Sequence, residues 1–160
     1  MRWRYPCVIQ HKKYDCGAAC LTTIARAYGI DVTLDEVCRL AGTDETGTNM
    51  LGLAEAAQEL GFEAQGVQGD KEAFLTEDFA LPCIAHMTVR GKADHYVVVH
   101  QITKEWIWIA DPAAGLKKIR PEKFFGEKFP GKSPRYRWTG ILLLLEKKKD
   151  RQDSLQYVVS

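Results

Sequence analysis

Four residue types, spread along the chain in a fixed order, could together break an acyl bond. Gln10 stands six residues before Cys16 in the run Gln10-His-Lys-Lys-Tyr-Asp15-Cys16-Gly17-Ala-Ala-Cys20. Far downstream come His95, within Asp94-His95-Tyr96-Val97-Val98-Val99, and Asp111, within Ala110-Asp111-Pro112. A thiolate attacks a carbonyl, an imidazole moves the proton, a carboxylate orients the imidazole, and an amide N–H holds the oxyanion. In this reading Cys16 is the nucleophile, His95 the general base and Asp111 its orienter. Gln10 contributes its NH₂ to the oxyanion, beside the Cys16 backbone N–H. Convergence of the four in space makes the protein a thiol hydrolase.

Cys16 opens a predicted helix, where unpaired N–H groups and the helix dipole favour a thiolate. Asp15 is placed to cap that helix, and Gly17 to leave room for a substrate. Cys20, Cys38 and Cys83 read as buried structural thiols. Cys16 and Cys20 share a helix face, but no nearby His or Cys completes a set of four metal ligands. His86 and His100 rival His95, being in or beside strands, and His11 lies in the loop between Gln10 and Cys16. Asp-Pro is also a common turn initiator. A hairpin argument links the pair. If the strands around 96–102 and 105–110 form a hairpin, its open end brings His95 and Asp111 together. The carboxylate would then accept Nδ1–H from the imidazole.

The elements that must position these residues divide the chain. Its first half reads helical. Apolar spacing from Cys16 to Tyr28 predicts a helix stopped by Gly29. Thr33-Leu34-Asp35-Glu36 is a capping box for a helix to about Leu40. Asn49 caps a helix from Met50 to Leu60, with Leu51, Ala54, Ala57 and Leu60 as its apolar face. Asp70 caps a short helix to about Leu75. The second half reads β, with strands Glu63–Val67, Cys83–Thr88, Tyr96–Ile102, Glu105–Ala110, Lys117–Arg120 and Gly140–Leu145. The turn Thr103-Lys104 closes the hairpin, and Pro121 opens a short helix to Phe125. Helices first and an antiparallel sheet second make an α+β class.

The bulk properties exclude several alternatives. A chain of 160 residues suits one domain with a real core. A net charge of +1 gives no footprint for nucleic acid. No apolar run approaches the ~20 residues of a membrane span, and Met1 to Cys7 has no apolar stretch of a secretory signal. The five cysteines are odd in number and scattered, without a C-x-x-C pair, which argues against a disulfide framework and for a reducing compartment.

Taken together, Gln10-x4-Asp15-Cys16-Gly17-x2-Cys20-Leu21, His95-Tyr-Val-Val-Val and Ala110-Asp111-Pro112 resemble the bacteriocin-processing double-glycine peptidases. The resemblance runs from about Tyr5 to Leu145. It includes Gly47-Thr-Asn-Met-Leu-Gly-Leu, Leu81-Pro-Cys-Ile-Ala and Trp138-Thr-Gly-Ile-Leu-Leu-Leu-Leu-Glu146. It implies a compact papain-like cysteine peptidase fold, a helical N-terminal part packed on a C-terminal antiparallel sheet. It implies the catalytic set Cys16, His95, Asp111 and Gln10, and settles the choice of histidine. The implied reaction removes the leader of bacteriocin, lanthipeptide or quorum-sensing precursors after Gly-Gly or Gly-Ala. The implied partners are a precursor peptide with that leader and the transmembrane and ATPase domains of a parent ABC transporter, at the cytosolic face of the bacterial cell membrane. A leader-docking domain that does not cut is the alternative. No cofactor or metal is expected, ATP entering only through the transporter's nucleotide-binding domain, and the chain carries no Walker A sequence. The leader would lie on an apolar groove, for which Met50 and Leu53 are the candidates, although their pattern reads more readily as core. Residues 1–146 are expected to be the peptidase domain and 147–160 a polar tail or linker, the chain being an excised domain rather than a free-standing peptidase.

Overall fold

The computed structural model describes residues 5–127 and 133–148. The order is α1 (Cys16–Ala27), α2 (Leu34–Ala41), α3 (Met50–Glu59), β1 (Phe62–Gln68), α4 (Lys71–Thr76), β2 (Cys83–Val89), β3 (Ala93–Ile102), β4 (Ile107–Asp111), β5 (Gly115–Ile119), α5 (Pro121–Phe125) and β6 (Tyr136–Lys147). Among the described residues the strands form one sheet in the order β1-β6-β2-β3-β4-β5, and each neighbouring pair is antiparallel. The class is α+β, as the sequence predicts.

The caps that start three helices are those expected. Thr33, Asn49 and Asp70 each accept a hydrogen bond from a backbone N–H three residues on. Each cap contributes about 1 kcal/mol, whereas full burial of an aliphatic side chain contributes about 2 kcal/mol. Packing therefore decides where α1 sits, and caps decide where α2, α3 and α4 begin. α1 is buried on all sides from Cys16 to Ala25, and its Leu21 and Ile24 are fully enclosed.

The core has two parts, one on each face of the sheet. On one, α1, α2 and α3 pack against Phe62, Ile84, Tyr96, Val98, Leu143 and Leu145. On the other, Phe74 of α4 and Phe124 of α5 join Met87, Val97, Val99, Ile109 and Trp138. β3 alternates between the two, which is why its sequence reads as an unbroken apolar run.

Some boundaries differ from the sequence reading, each for a physical reason. The apolar face of α3 is Leu53, Ala56 and Ala57, and Leu51 is 67% exposed. This helix is rich in Ala, Leu and Met on more than one side, so spacing alone does not fix which side turns inward. β6 starts at Tyr136 rather than Gly140, because a register shift against β2 lies between Ala85 and Met87 and Gly140 takes φ 96° there. Such a bulge interrupts the pattern without ending the strand. Lys147 closes β6 opposite Phe62 instead of opening a tail, and residues 149–160 of the expected linker lie outside the described residues. The β3–β4 turn is wider than Thr103-Lys104, the Thr103 N–H donating to Trp106 O at 2.8 Å. Arg120 leaves the strand to precede α5. α2 and α3 approach so closely that a Cβ on Gly52 would stand 2.4 Å from Ala41 O.

Candidate active site

Cys16 is the first residue of α1, a helix that packs against β3. The register Val98↔Ala110 places Asp111 opposite Val97, diagonal to His95 on the neighbouring strand. Diagonal positions lie within reach of long side chains, and His95 Nε2 meets Asp111 Oδ1 at 2.7 Å. The hairpin argument therefore holds for placement, although His95 lies inside β3, opposite Met87 of β2. The nitrogen differs from expectation. The ring presents Nε2 to Asp111, because the diagonal offset demands the far end of the imidazole. That leaves Nδ1 free of Asp111, and Cys16 is among the groups that raise the pKa of the imidazole.

Both members of the pair are nearly enclosed, His95 at 9% exposure and Asp111 at 1%. Burial opposes charging His95, but the hydrogen bonds and charges of Asp111 and Cys16 outweigh it and push the imidazole up to about 9. Burial likewise works against the Asp111 carboxylate, but hydrogen bonds from His95 and Tyr136, with the His95 charge and the Ala113 N–H, hold it down at about 2. The pair is an imidazolium–carboxylate at neutral pH. Asp111 Oδ1 also accepts from Ala113 N at 2.8 Å, and its Oδ2 accepts from the Tyr136 hydroxyl. Tyr136 was not legible as a site residue, since it lies ahead of the bulge where the strand pattern begins.

The rival histidines are engaged elsewhere. His100 stacks on Tyr5 at 4.6 Å and bonds Pro6 O at 2.9 Å, and burial lowers its pKa. His86 bonds Thr139 Oγ1 through Nδ1 at 2.9 Å, and burial lowers its pKa too, against the pull of Asp94. The Thr139 hydroxyl donates to His86 O, so it accepts from His86 Nδ1–H. His11 is exposed.

The Gln10 N–H donates to Pro112 O at 2.9 Å, which ties the loop from Gln10 to Cys16 to the turn beside Asp111. Its Nε2 donates to Lys12 O at 3.0 Å, while its Oε1 is buried without a partner among the described residues. Asp15 does not cap α1 through its side chain. The carboxylate instead accepts from Lys12 N at 3.0 Å and so braces the same loop. Gly17 does not open space for a substrate either. A Cβ there would stand 3.2 Å from both Leu53 and Tyr96, so the missing side chain accommodates α3 and β3.

A cleft of about 560 Å³ opens over Cys16. One wall is the loop between α2 and α3, ending at Met50, and the other carries His86, Asp94 and Tyr96. The loop is braced by bonds from Thr46 to Asp44 and between Thr43 and Thr48. Leu53 is fully buried and does not face the cleft, which removes it as a candidate for substrate contact. Met50 remains. Among the described residues no group of three His, Cys, Asp or Glu side chains is placed to hold a metal ion, and no helix is long and apolar enough to cross a membrane.

Known proteins resemble this chain in sequence and fold. The chain is 35% identical over 153 residues to the lactococcin-G-processing and transport ATP-binding protein LagD of Lactococcus lactis, covering 96% of the chain and 20% of LagD. It is 35% identical over 142 residues to the transport/processing ATP-binding protein ComA of Streptococcus pneumoniae, covering 88% and 18%. The chain thus spans about a fifth of the length of these relatives. Its fold matches the crystal structure of the peptidase domain of Streptococcus ComA, a bi-functional ABC transporter, with a TM-score of 0.78 and 29% identity over 91% of this chain and all of that one. A double glycine motif protease from an AMS/PCAT transporter, solved with its leader peptide, matches with a TM-score of 0.74 and 30% identity, covering 89% and 91%. The Peptidase C39 family model matches residues 4–150. The chain belongs to the Peptidase C39 family, a family of cysteine peptidases.

Proposed function

We propose that this chain is a peptidase domain that removes the leader of bacteriocin- or lanthipeptide-type precursors after a Gly-Gly or Gly-Ala pair, working with the transmembrane and ATPase domains of an ABC transporter at the cytosolic face of the membrane. The observation that carries the reading is the buried His95–Asp111 bond, with Cys16 acting on the same imidazole and lining the cleft. Cys16 Sγ attacks the carbonyl carbon of the second residue of the small pair. The Cys16 backbone N–H and a Gln10 Nε2–H hold the oxyanion. His95 passes its Nδ1 proton to the leaving amine, which departs as the N-terminus of the mature peptide, while the leader stays on the sulfur as a thioester. His95 then takes a proton from water, which hydrolyses the thioester and releases the leader. Exposed Leu40 and Leu51, on the two helices that flank the loop wall, offer apolar surface for an amphipathic leader.

The direct test is incubation with a double-glycine precursor and mass spectrometry of the products. One cut after the second small residue supports the reading, and an intact precursor bound through its leader supports the docking alternative. Gln10→Ala is expected to lower kcat by about 10²-fold, the usual loss for one oxyanion donor, with the leader affinity unchanged by fluorescence anisotropy.

The pH dependence follows from the pair. The folded pKa of His95 lies above its ordinary 6.5. Its contribution to stability is therefore whole below that value and is lost as pH rises through about 9. Asp111 lies below its ordinary 3.8, so its contribution is whole above that value and is lost as pH falls through about 2. The alkaline limb of kcat/KM is expected near pH 9, where the imidazolium loses the proton it gives to the leaving amine. A limb near the ordinary 6.5 would contradict the charged pair.

A further inference from the structure

Asp111 is one of the most enclosed charges in the molecule, and its two oxygens are gripped from different directions. Oδ1 receives His95 and the Ala113 N–H. Oδ2 receives the Tyr136 hydroxyl, from a residue that is itself 4% exposed. Tyr136 begins β6, and β6 is separated from β4 by β2 and β3. In a flat sheet strands three places apart stand about 14 Å from each other, a gap that the sheet closes by curling around the core it shares with α4 and α5. The other rings of this core, Phe74 and Phe124, bring no polar group, and the Trp138 N–H is spent on Ile141 O. Tyr136 alone in this cluster directs a donor at the carboxylate. Two cations stand outside it, the Lys117 ammonium 5.7 Å and the Arg135 guanidinium 5.4 Å from its ring centroid.

We infer that Tyr136 is a positioning residue for the peptidase reaction: its hydroxyl locks the Asp111 carboxylate in the orientation that presents Oδ1 to His95 Nε2. The inference rests on the peptidase reading above and extends its His95–Asp111 pair by one member, Tyr136. Without the hydroxyl, Oδ2 is a buried acceptor with no donor, a state that costs far more than the bond contributes when made. The carboxylate escapes by turning toward another donor or by taking a proton. Either change frees the imidazole to leave the line between Asp111 and the thiol. Tyr136 is one of the groups that hold the Asp111 carboxyl low, so its loss moves that titration upward.

The test is Tyr136→Phe, which keeps the ring and removes the donor. Asp111 is followed by ¹³C NMR of labelled aspartate carboxyls, assigned with Asp111→Asn, and turnover is measured on a double-glycine precursor. The variant is expected to raise the Asp111 midpoint by about one unit or more and to lower kcat about tenfold with KM held within about twofold. A folded variant with both the midpoint and kcat unmoved overturns the proposal. Should the variant fail to fold, wild type decides. An Asp111 midpoint near the ordinary 3.8 overturns the clamp, and a midpoint near 2, with a Tyr136 hydroxyl resonance that vanishes in Asp111→Asn, upholds it. A wild type that cuts no precursor overturns the peptidase reading instead, and the carboxyl titration then judges the clamp by itself.

Discussion

Replacing Cys16 with alanine is expected to abolish cleavage, lowering kcat/KM by at least about 10⁴-fold, while the precursor still binds through its leader. In the proposed reaction this sulfur forms the bond to the scissile carbonyl, and the thiols nearest to it are poorly suited to substitute. Cys20, one helical turn along α1, is 1% exposed, and burial first and Cys16 second push its pKa well above the ordinary value. Cys7 is pushed up as well, by burial and by Asp111, and its thiol points at the Asp111 carbonyl oxygen. Alanine is a good helix former and loses one atom at the first residue of a helix already held by Leu21 and Ile24. The variant should therefore fold. The measurement is mass spectrometry of the products beside anisotropy of a labelled leader. Turnover close to wild type would remove Cys16 from the mechanism.

His95→Ala is expected to cost nearly as much, about 10³-fold or more in kcat, whereas His86→Ala and His100→Ala fall far short of it. The three residues sit within or beside the same two strands, yet their environments oppose one another. Only His95 gains a carboxylate and a thiol, and only its pKa is pushed up. Burial lowers both His86 and His100, which disfavours the charged imidazolium that would give a proton to an amine. His86 lines the cleft, and its loss should register in KM. His100 holds the N-terminal segment through Pro6 and Tyr5, and its loss should register in the melting temperature with kcat retained in the folded fraction. Measuring kcat, KM and thermal melting for all three variants separates the roles. Equal losses in kcat across the three would mean that folding, not proton transfer, accounts for the effect of His95.

How much of this was legible beforehand depended on how local the physics is. Cys16 at a helix start, the Thr33, Asn49 and Asp70 caps, and the alternation of β3 are written in neighbouring residues, because caps and strand periodicity act over a few positions. The placement of Asp111 against His95 was legible for a similar reason: a hairpin of adjacent strands is a short-range event, and its ends can be located by counting. Even the departures at Gly17 and Asp15 kept the residue in place and changed only what its side chain does.

What the sequence by itself determined, then, is the set of helices and strands, the α+β class and the candidates Cys16, His95, Asp111 and Gln10 for the proposed reaction. The tertiary structure alone decided the rest. Which imidazole nitrogen meets Asp111 depends on a diagonal offset between strands. Which side of α3 turns inward depends on its packing against β1 and α2, since its apolar residues occupy more than one side. Leu53 became core and Leu51 surface for that reason. Tyr136 reaches Asp111 across the curl of the sheet, over 25 positions of chain and past a bulge that masks the start of its strand. Such contacts are made between residues distant in sequence, and they are fixed by how close-packed elements fit together, which no local spacing encodes.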